Sequence, residues 1–283
     1  MKFCVIDIGT NSVRLMLSNE GRTIYKKVKM TRLAENLGKE RFLCPEAIER
    51  TANAVYEFYL MAKEENPENI YIFATAAVRN SLNGKDFCSK VYELTKIQVD
   101  VVSGEVEATL GVNGALRGKN GGIIDIGGAS TEVAYVSDFC PYSKSFNVGA
   151  GTLTDKMKER CEKEILDEVF STLPSSLDKD FYAIGGTATS VVATLLSLEP
   201  YNPSVVDGYK LKMEEVVSLK NKLSTMSVDE IAMLKGLQKG RERVFFAGVC
   251  ILYYVMNRLS LEYVVVSESD NLEGYLEYVR SKK

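Results

Sequence analysis

Asp7-Ile8-Gly9-Thr10-Asn11-Ser12 puts a carboxylate at the end of an apolar run, then a glycine and three polar side chains. A buried carboxylate is costly unless a cation or a hydrogen-bond network meets it. The glycine lets the backbone turn tightly and expose its amides, and such a turn can cradle a phosphate. Taken alone, the segment reads first as a hairpin turn in which Asp7 bonds its own loop. A second segment, Asp125-Ile126-Gly127-Gly128-Ala129-Ser130-Thr131-Glu132, has the same layout. Aligned over ten positions from Val5 and from Ile123, the two share Ile6/Ile124, Asp7/Asp125, Ile8/Ile126, Gly9/Gly127 and Ser12/Ser130. That recurrence tips the balance toward function. Two such turns facing each other across a cleft would form a two-jawed phosphate site. Asp7 and Asp125 could then share one Mg2+, an ion that takes oxygen ligands and keeps several waters. A third turn, Ala183-Ile184-Gly185-Gly186-Thr187-Ala188-Thr189, stands between a strand and a helix. A helix N-terminus favours anions, so Gly185, Gly186 and Thr187 are further phosphate candidates. A Gly pair before a helix also serves simply to turn the chain.

Other chemistries are excluded by composition. The 283 residues contain no histidine, which removes Ser-His-Asp and Cys-His catalysis, a His general base and His-rich zinc sites. Chemistry must run on carboxylates, hydroxyls, Lys or Arg, backbone amides and a hard metal ion. The 35 basic and 38 acidic residues leave a net charge of −3, with no electrostatic footprint for DNA. The six cysteines, Cys4, Cys44, Cys88, Cys140, Cys161 and Cys250, lack metal-ligand spacing and read mostly as buried free thiols. Without a leader pattern or an apolar run long enough to span a membrane, the expected location is the cytoplasm.

The elements that would position these residues can be read from periodicity. Each Asp-Gly turn lies between alternating runs that predict a β-hairpin (Val13, Leu15, Leu17; Val133, Tyr135). Helical spacing covers 45–63, 85–94 and 105–116, with strands at 70–74 and 97–102 between them. The second half predicts strands at 121–126, 131–137 and 143–148. Next are a helical region over about 154–173, a strand at 181–184 and a helix over 187–198. Helices at 213–225, 228–235 and 241–258, a strand at 263–266 and a helix from about 271 complete the chain. The expected fold is α/β, with two related domains, 1–118 and 119–283, divided at the polar stretch 117–122, which would also be the hinge.

The arrangement resembles the actin, sugar kinase and Hsp70 superfamily. More closely, it resembles the exopolyphosphatase and guanosine pentaphosphate phosphohydrolase family. Four further segments carry that likeness: Ala74-Thr75-Ala76-Ala77-Val78-Arg79-Asn80; Val102-Ser103-Gly104-Glu105-Val106-Glu107-Ala108; Arg32-Leu33-Ala34-Glu35-Asn36-Leu37; and Gly236-Leu237 with Arg241 and Ala247-Gly248. The resemblance implies two actin-like (ribonuclease H-like) domains with an interdomain cleft, the helix from about 271 packing back on the first. It implies a short form without the His-Asp domain that longer members append. Glu107 matches the residue that positions or deprotonates the attacking water. Asp7, Asp125 and Glu132 match the acidic residues around the metal and the water. Gly9, Thr10, Asn11, Ser12, Gly127, Gly128, Ser130 and Thr131 match the phosphate-cradling turns, and Arg14 and Arg79 match basic residues near the phosphoanhydride.

The resemblance also implies an activity: Mg2+-assisted release of terminal phosphate from polyphosphate or guanosine pentaphosphate. K+ is a candidate activator and a homodimer a candidate assembly. Phosphoryl transfer needs positioning and charge neutralisation, which Mg2+ and Arg supply. The chain departs from the family pattern at Val106, Ala129, Asp207, Arg243 and Leu272. Those departures motivate an alternative, a sensor that binds a guanine alarmone or polyphosphate without fast turnover. A small-molecule kinase of the wider superfamily is a further alternative, opposed by the segments around Arg79 and Glu107.

Overall fold

The alternating runs on either side of each Asp-Gly turn fold as strands, and in each case a third strand extends the hairpin into a meander. The computed structural model describes residues 1–35, 37, 41–137, 141–177 and 180–282; Asn36 and Cys140 lie outside the described residues. The first meander is β1 (Lys2–Ile8), β2 (Ser12–Asn19) and β3 (Arg22–Met30). Then come α1 (Pro45–Glu64), β4 (Asn69–Ala74), α2 (Ala76–Arg79), α3 (Gly84–Thr95), β5 (Val99–Val101) and α4 (Gly104–Leu116). The second meander is β6 (Gly121–Ile126), β7 (Thr131–Val136) and β8 (Tyr142–Phe146). It leads into α5 (Ala150–Lys156), α6 (Glu162–Val169), β9 (Phe181–Ile184), α7 (Gly185–Leu195), α8 (Pro203–Val206) and β10 (Lys210–Lys212). Last are α9 (Met213–Leu223), α10 (Val228–Ala232), α11 (Phe245–Arg258), β11 (Tyr263–Val266) and α12 (Asn271–Ser281).

The chain forms two compact units, Met1–Glu107 with Tyr275–Lys283, and Ala108–Gly274. The passages between them lie inside α4, ahead of the polar stretch 117–122, and inside α12. In unit 1 the sheet order is β3-β2-β1-β4-β5, and in unit 2 it is β10-β11-β9-β6-β7-β8. The two match strand for strand: an antiparallel meander whose first strand pairs in parallel with the next strand in the chain. Unit 2 adds β10 as an antiparallel edge. The internal repeat in the sequence is therefore a repeat of architecture.

Strand periodicity sets what each sheet face carries. On β1, Cys4, Ile6 and Ile8 enter the unit 1 core with Val13, Leu15, Val55, Phe58 and Phe87, so Asp7 points to the opposite face with Val5. On β6, Ile124 and Ile126 enter the unit 2 core with Val133, Phe170, Val191 and Ile251. Ile123 belongs instead to a smaller cluster with Ala108, Leu116, Ala134 and Ile184, and Asp125 shares its face. Both aspartates are thus turned out of the main core of their unit.

Several predicted elements differ in extent, among them the strand at 97–102, which is Val99–Val101, and the helix at 187–198, which is Gly185–Leu195; two differ most. The region 154–173 is two helices, because Cys161 takes an extended conformation (φ −64°, ψ 138°) and starts α6 afresh. The helix predicted from 241 begins at Phe245, because Gly240 has φ +92° and the Arg241 guanidinium reaches back across Gly186. The short α2, α8 and β10 are too brief for periodicity to reveal. Cys4 and Cys250 are buried thiols, but Cys161 is exposed at the start of α6. Among the described residues no helix is long and apolar enough to cross a membrane.

Candidate active site

In unit 1 the turn after β1 joins Ile8 to Val13 through Gly9, Thr10, Asn11 and Ser12, closed by the Gly9 N–H on the Ser12 carbonyl at 3.0 Å. The carbonyls of the loop are held from behind. Thr31 and Arg32 N–H donate to Asn11 O, and Ala34 N–H donates to Thr10 O. In unit 2 the turn joins Ile126 to Thr131 through Gly127, Gly128, Ala129 and Ser130, with Gly127 N–H on Ser130 O at 3.0 Å. Its carbonyls receive Ala150, Gly151 and Thr152 N–H from the start of α5. Among the described residues the amides of Thr10, Asn11, Gly128 and Ala129 donate no backbone hydrogen bond. Both turns therefore have anchored carbonyls and amides that make no backbone bond among the described residues, the polarity an anion site needs.

The acidic groups of unit 1 are tied to arginines. Asp7, 3% exposed, lies opposite Arg14 in the β1–β2 register. Its Oδ2 accepts from Arg14 Nε at 2.8 Å and Nη2 at 2.5 Å. Glu107 stands in the first turn of α4, which Ser103 caps by accepting the Val106 N–H on Oγ. Arg79, at the end of α2, donates from Nη1 to Glu107 Oε2 at 2.9 Å and to the Val102 carbonyl at 2.8 Å. Thr75 also hydrogen-bonds the Glu107 carboxylate. Burial pushes the Glu107 carboxyl above the usual carboxylate range and outweighs the opposing pull of Arg79, while the charge of Asp7 pushes the same way. A carboxyl so tuned is a stronger proton acceptor than an exposed one.

Unit 2 brings together a different set. Asp125 and Glu132 are register partners on β6 and β7, so two buried carboxylates stand opposite each other on one sheet face. Side chains so placed have Cβ atoms about 4.5–5.5 Å apart. Ser145, opposite Glu132 on β8, donates from Oγ to Glu132 Oε1 at 2.6 Å. Asn271 donates from Nδ2 to Asp125 Oδ2 at 2.8 Å. Gly185 has φ +77°, and a Cβ there would stand 2.6 Å from Asp125 Oδ1, so both the turn and the close approach require glycine. The first turn of α7 thus abuts the Asp125 carboxylate, a favourable end-on arrangement. Arg241 lies over Gly186 where a side chain would stand, bringing a cation to the same helix end. Two hydroxyls named in the sequence have structural duties. Thr131 donates to the Val148 carbonyl at 2.6 Å and Thr187 to the Ile126 carbonyl at 3.1 Å.

The sequence profile of the Ppx/GppA phosphatase family matches residues 16–278. The chain belongs to that family. It is 32% identical, over 98% of its length, to the bifunctional 3-dehydroquinate synthase/phosphatase of Fusobacterium nucleatum subsp. nucleatum, and spans 46% of that relative. It is 24% identical to exopolyphosphatase 2 of Mycobacterium tuberculosis, over 96% of this chain and 97% of the relative. The solved structure of an exopolyphosphatase-like protein superposes with a TM-score of 0.91 at 24% identity, covering all of both chains. The two-domain actin-like α/β fold is that of the Ppx/GppA structures.

Within this Ppx/GppA phosphatase-family chain, Asn271, Ser145 and Thr75 are neighbours of the candidate residues Asp125, Glu132 and Glu107 whose contacts sequence reasoning missed. Asn271 had one usable signal: Asp270-Asn271-Leu272-Glu273 has the spacing of a capping box, which marks a helix start. Thr75 lies inside the motif from Ala74 to Asn80, which does not name its partner, and Ser145 had no signal, because their partners are fixed by strand register and tertiary packing.

Proposed function

We propose that the chain is a phosphohydrolase that releases terminal phosphate from inorganic polyphosphate or guanosine pentaphosphate. The observation that carries this reading is Glu107, a buried carboxyl raised by its surroundings, clamped by Arg79, in a chain of a phosphatase family. Glu107 would orient the attacking water and accept its proton. Arg79 would hold Glu107 in place. The amides of the two Asp-Gly turns would hold phosphate oxygens and take up charge that develops on them.

The donor set of unit 2 suits a hard cation. Asp125 and Glu132 are buried oxygen ligands on one face, and Mg2+ is commonly held by one or two carboxylates plus substrate phosphates. Among the described residues no group of three or more His, Cys, Asp or Glu side chains is placed to hold a metal ion, so the reading rests on Asp125 and Glu132 alone. Asp7, the third expected ligand, is held by Arg14, and its place in the reading is as a charge that raises Glu107. When bound, Mg2+ would neutralise the phosphate oxygens.

The test is a phosphate-release panel over short and long polyphosphates, guanosine pentaphosphate and ATP, with and without Mg2+. Release from polyphosphate or guanosine pentaphosphate is expected, abolished in Glu107→Ala with the fold intact. Full activity in that variant, or tight binding of all these ligands with no turnover, would overturn the reading.

A further inference from the structure

We propose that Asn271 is a positioning residue for the reaction, fixing the Asp125 carboxylate in the orientation that serves the metal site. This rests on the reading of Asp125 and Glu132 as Mg2+ ligands. Asn271 is 4% exposed and is the first residue of α12. Its Nδ2 reaches Asp125 Oδ2 at 2.8 Å, 146 residues away in the sequence. A carboxylate at the end of a strand can rotate about two side-chain torsions. A donor fixed on one oxygen removes that freedom and leaves the other oxygen, Oδ1, aimed beside Gly185.

The donor is itself rigidly mounted. Asp270 Oδ1 accepts the Leu272 N–H at 3.0 Å, and Glu273 Oε2 accepts the Asp270 N–H at 3.0 Å, so the first turn of α12 is locked by reciprocal caps. The backbones of α4 and α12 also meet without intervening side chains. A Cβ on Gly114 would lie 2.0 Å from the Asp270 carbonyl, and one on Gly274 would lie 1.8 Å from that of Leu110. The Asn271 amide therefore has little room to move, and so does the carboxylate it holds. Gly111 faces the same amide; a Cβ there would lie 3.3 Å from Asn271 Oδ1 and would clash with Ile123 at 2.6 Å.

The test uses the full chain and reads Mg2+ binding directly by calorimetry, beside kcat and KM on long-chain polyphosphate. Asn271→Leu keeps the volume and removes the donor. Asn271→Ala runs in parallel so that one failure to fold does not end the test, and both are checked by thermal melting. The expected result is Mg2+ binding weakened about tenfold, the size of a lost hydrogen bond to a charged group. A comparable fall in kcat and an unchanged KM at saturating Mg2+ are expected with it. Asp125→Asn should abolish the Mg2+ heat, and adding Asn271→Leu to it should cost no further activity. Normal Mg2+ affinity and kcat in both Asn271 variants, with Asp125→Asn still losing both, would overturn the positioning role alone. Losses that multiply in the double variant would overturn it too. Normal Mg2+ affinity in Asp125→Asn would overturn the metal reading and the proposal together.

Discussion

The two meanders use one backbone plan for opposite electrostatics. Across β1, β2 and β3 the register lines up Asp7, Arg14 and Val28; across β6, β7 and β8 it lines up Asp125, Glu132 and Ser145. Unit 1 answers its aspartate with a guanidinium. Unit 2 places a second carboxylate at that position and backs it with a hydroxyl. Like charges this close repel each other, and a divalent cation between them would offset that repulsion. The same strand-Asp-Gly-turn-strand unit thus carries an Asp–Arg register pair in one unit and an Asp–Glu register pair in the other, the pair proposed above to hold Mg2+. Unit 1 carries Glu107, the proposed proton acceptor, separately, on α4.

The sharpest test of that division of labour is Glu107→Gln. It keeps shape and a hydrogen-bond acceptor for Arg79 while removing the base, so kcat should fall by about 10²–10⁴-fold. Calorimetry should find Mg2+ binding unchanged, because the proposed Mg2+ ligands Asp125 and Glu132 lie in unit 2. If Mg2+ binding falls with activity, the two roles are not separable as described.

The next effect is on stability. Arg14→Met leaves Asp7 buried without its guanidinium, and breaking a buried pair costs about 3–5 kcal/mol, less here because Arg14 is partly exposed. A clear drop in melting temperature is expected. Glu132→Gln at the equivalent position should do the reverse in the absence of Mg2+, holding or raising the melting temperature while weakening Mg2+ binding. Equal destabilisation by the two variants would erase the distinction between the units.

A smaller effect concerns pH. The Glu107 carboxyl is raised on folding, so the folded chain holds its proton more tightly than the unfolded chain does. Stability then declines as pH rises from the ordinary glutamate value through the raised folded value. With Glu107 as the proposed base, activity runs the other way, because a general base works only when deprotonated. Turnover should therefore rise with pH through a window above the usual carboxylate range, and Glu107→Gln should lose that part of the stability profile. A turnover limb at the ordinary glutamate value would contradict the burial argument.

How much of this is written in the sequence depends on whether a contact is local. The Asp-Gly turns, their duplication, and α1 from Pro45 are legible because each rests on spacing within a few residues. The like-charge pair of unit 2 is also latent there, since a four-residue turn fixes Asp125 opposite Glu132 and Asp7 opposite Arg14. The arginine clamp on Glu107 is different, because Arg79 and Glu107 meet only once β4 and the start of α4 are packed. Asn271 is further still from its partner in sequence, and Asp207 shows the same limit. Its Oδ1 accepts the Glu268 N–H at 3.0 Å, a duty that its position in a motif did not reveal.

The finest test of the comparison exchanges the third residue of each register row. Ser145→Val gives unit 2 the residue that unit 1 has at Val28, and removes the hydroxyl that holds Glu132 Oε1. A hydrogen bond to a charged group contributes roughly 1.5–3 kcal/mol. Part of it is lost from the metal-bound and metal-free states alike, so Mg2+ affinity should weaken only about three- to tenfold. The reciprocal Val28→Ser should change nothing measurable, because that position is 41% exposed and its row is neutralised by the Asp7–Arg14 pair. Calorimetric Mg2+ titration of both variants decides the point. An effect of Val28→Ser equal to that of Ser145→Val would mean that the hydroxyl acts through general strand packing and not through the carboxylate it touches.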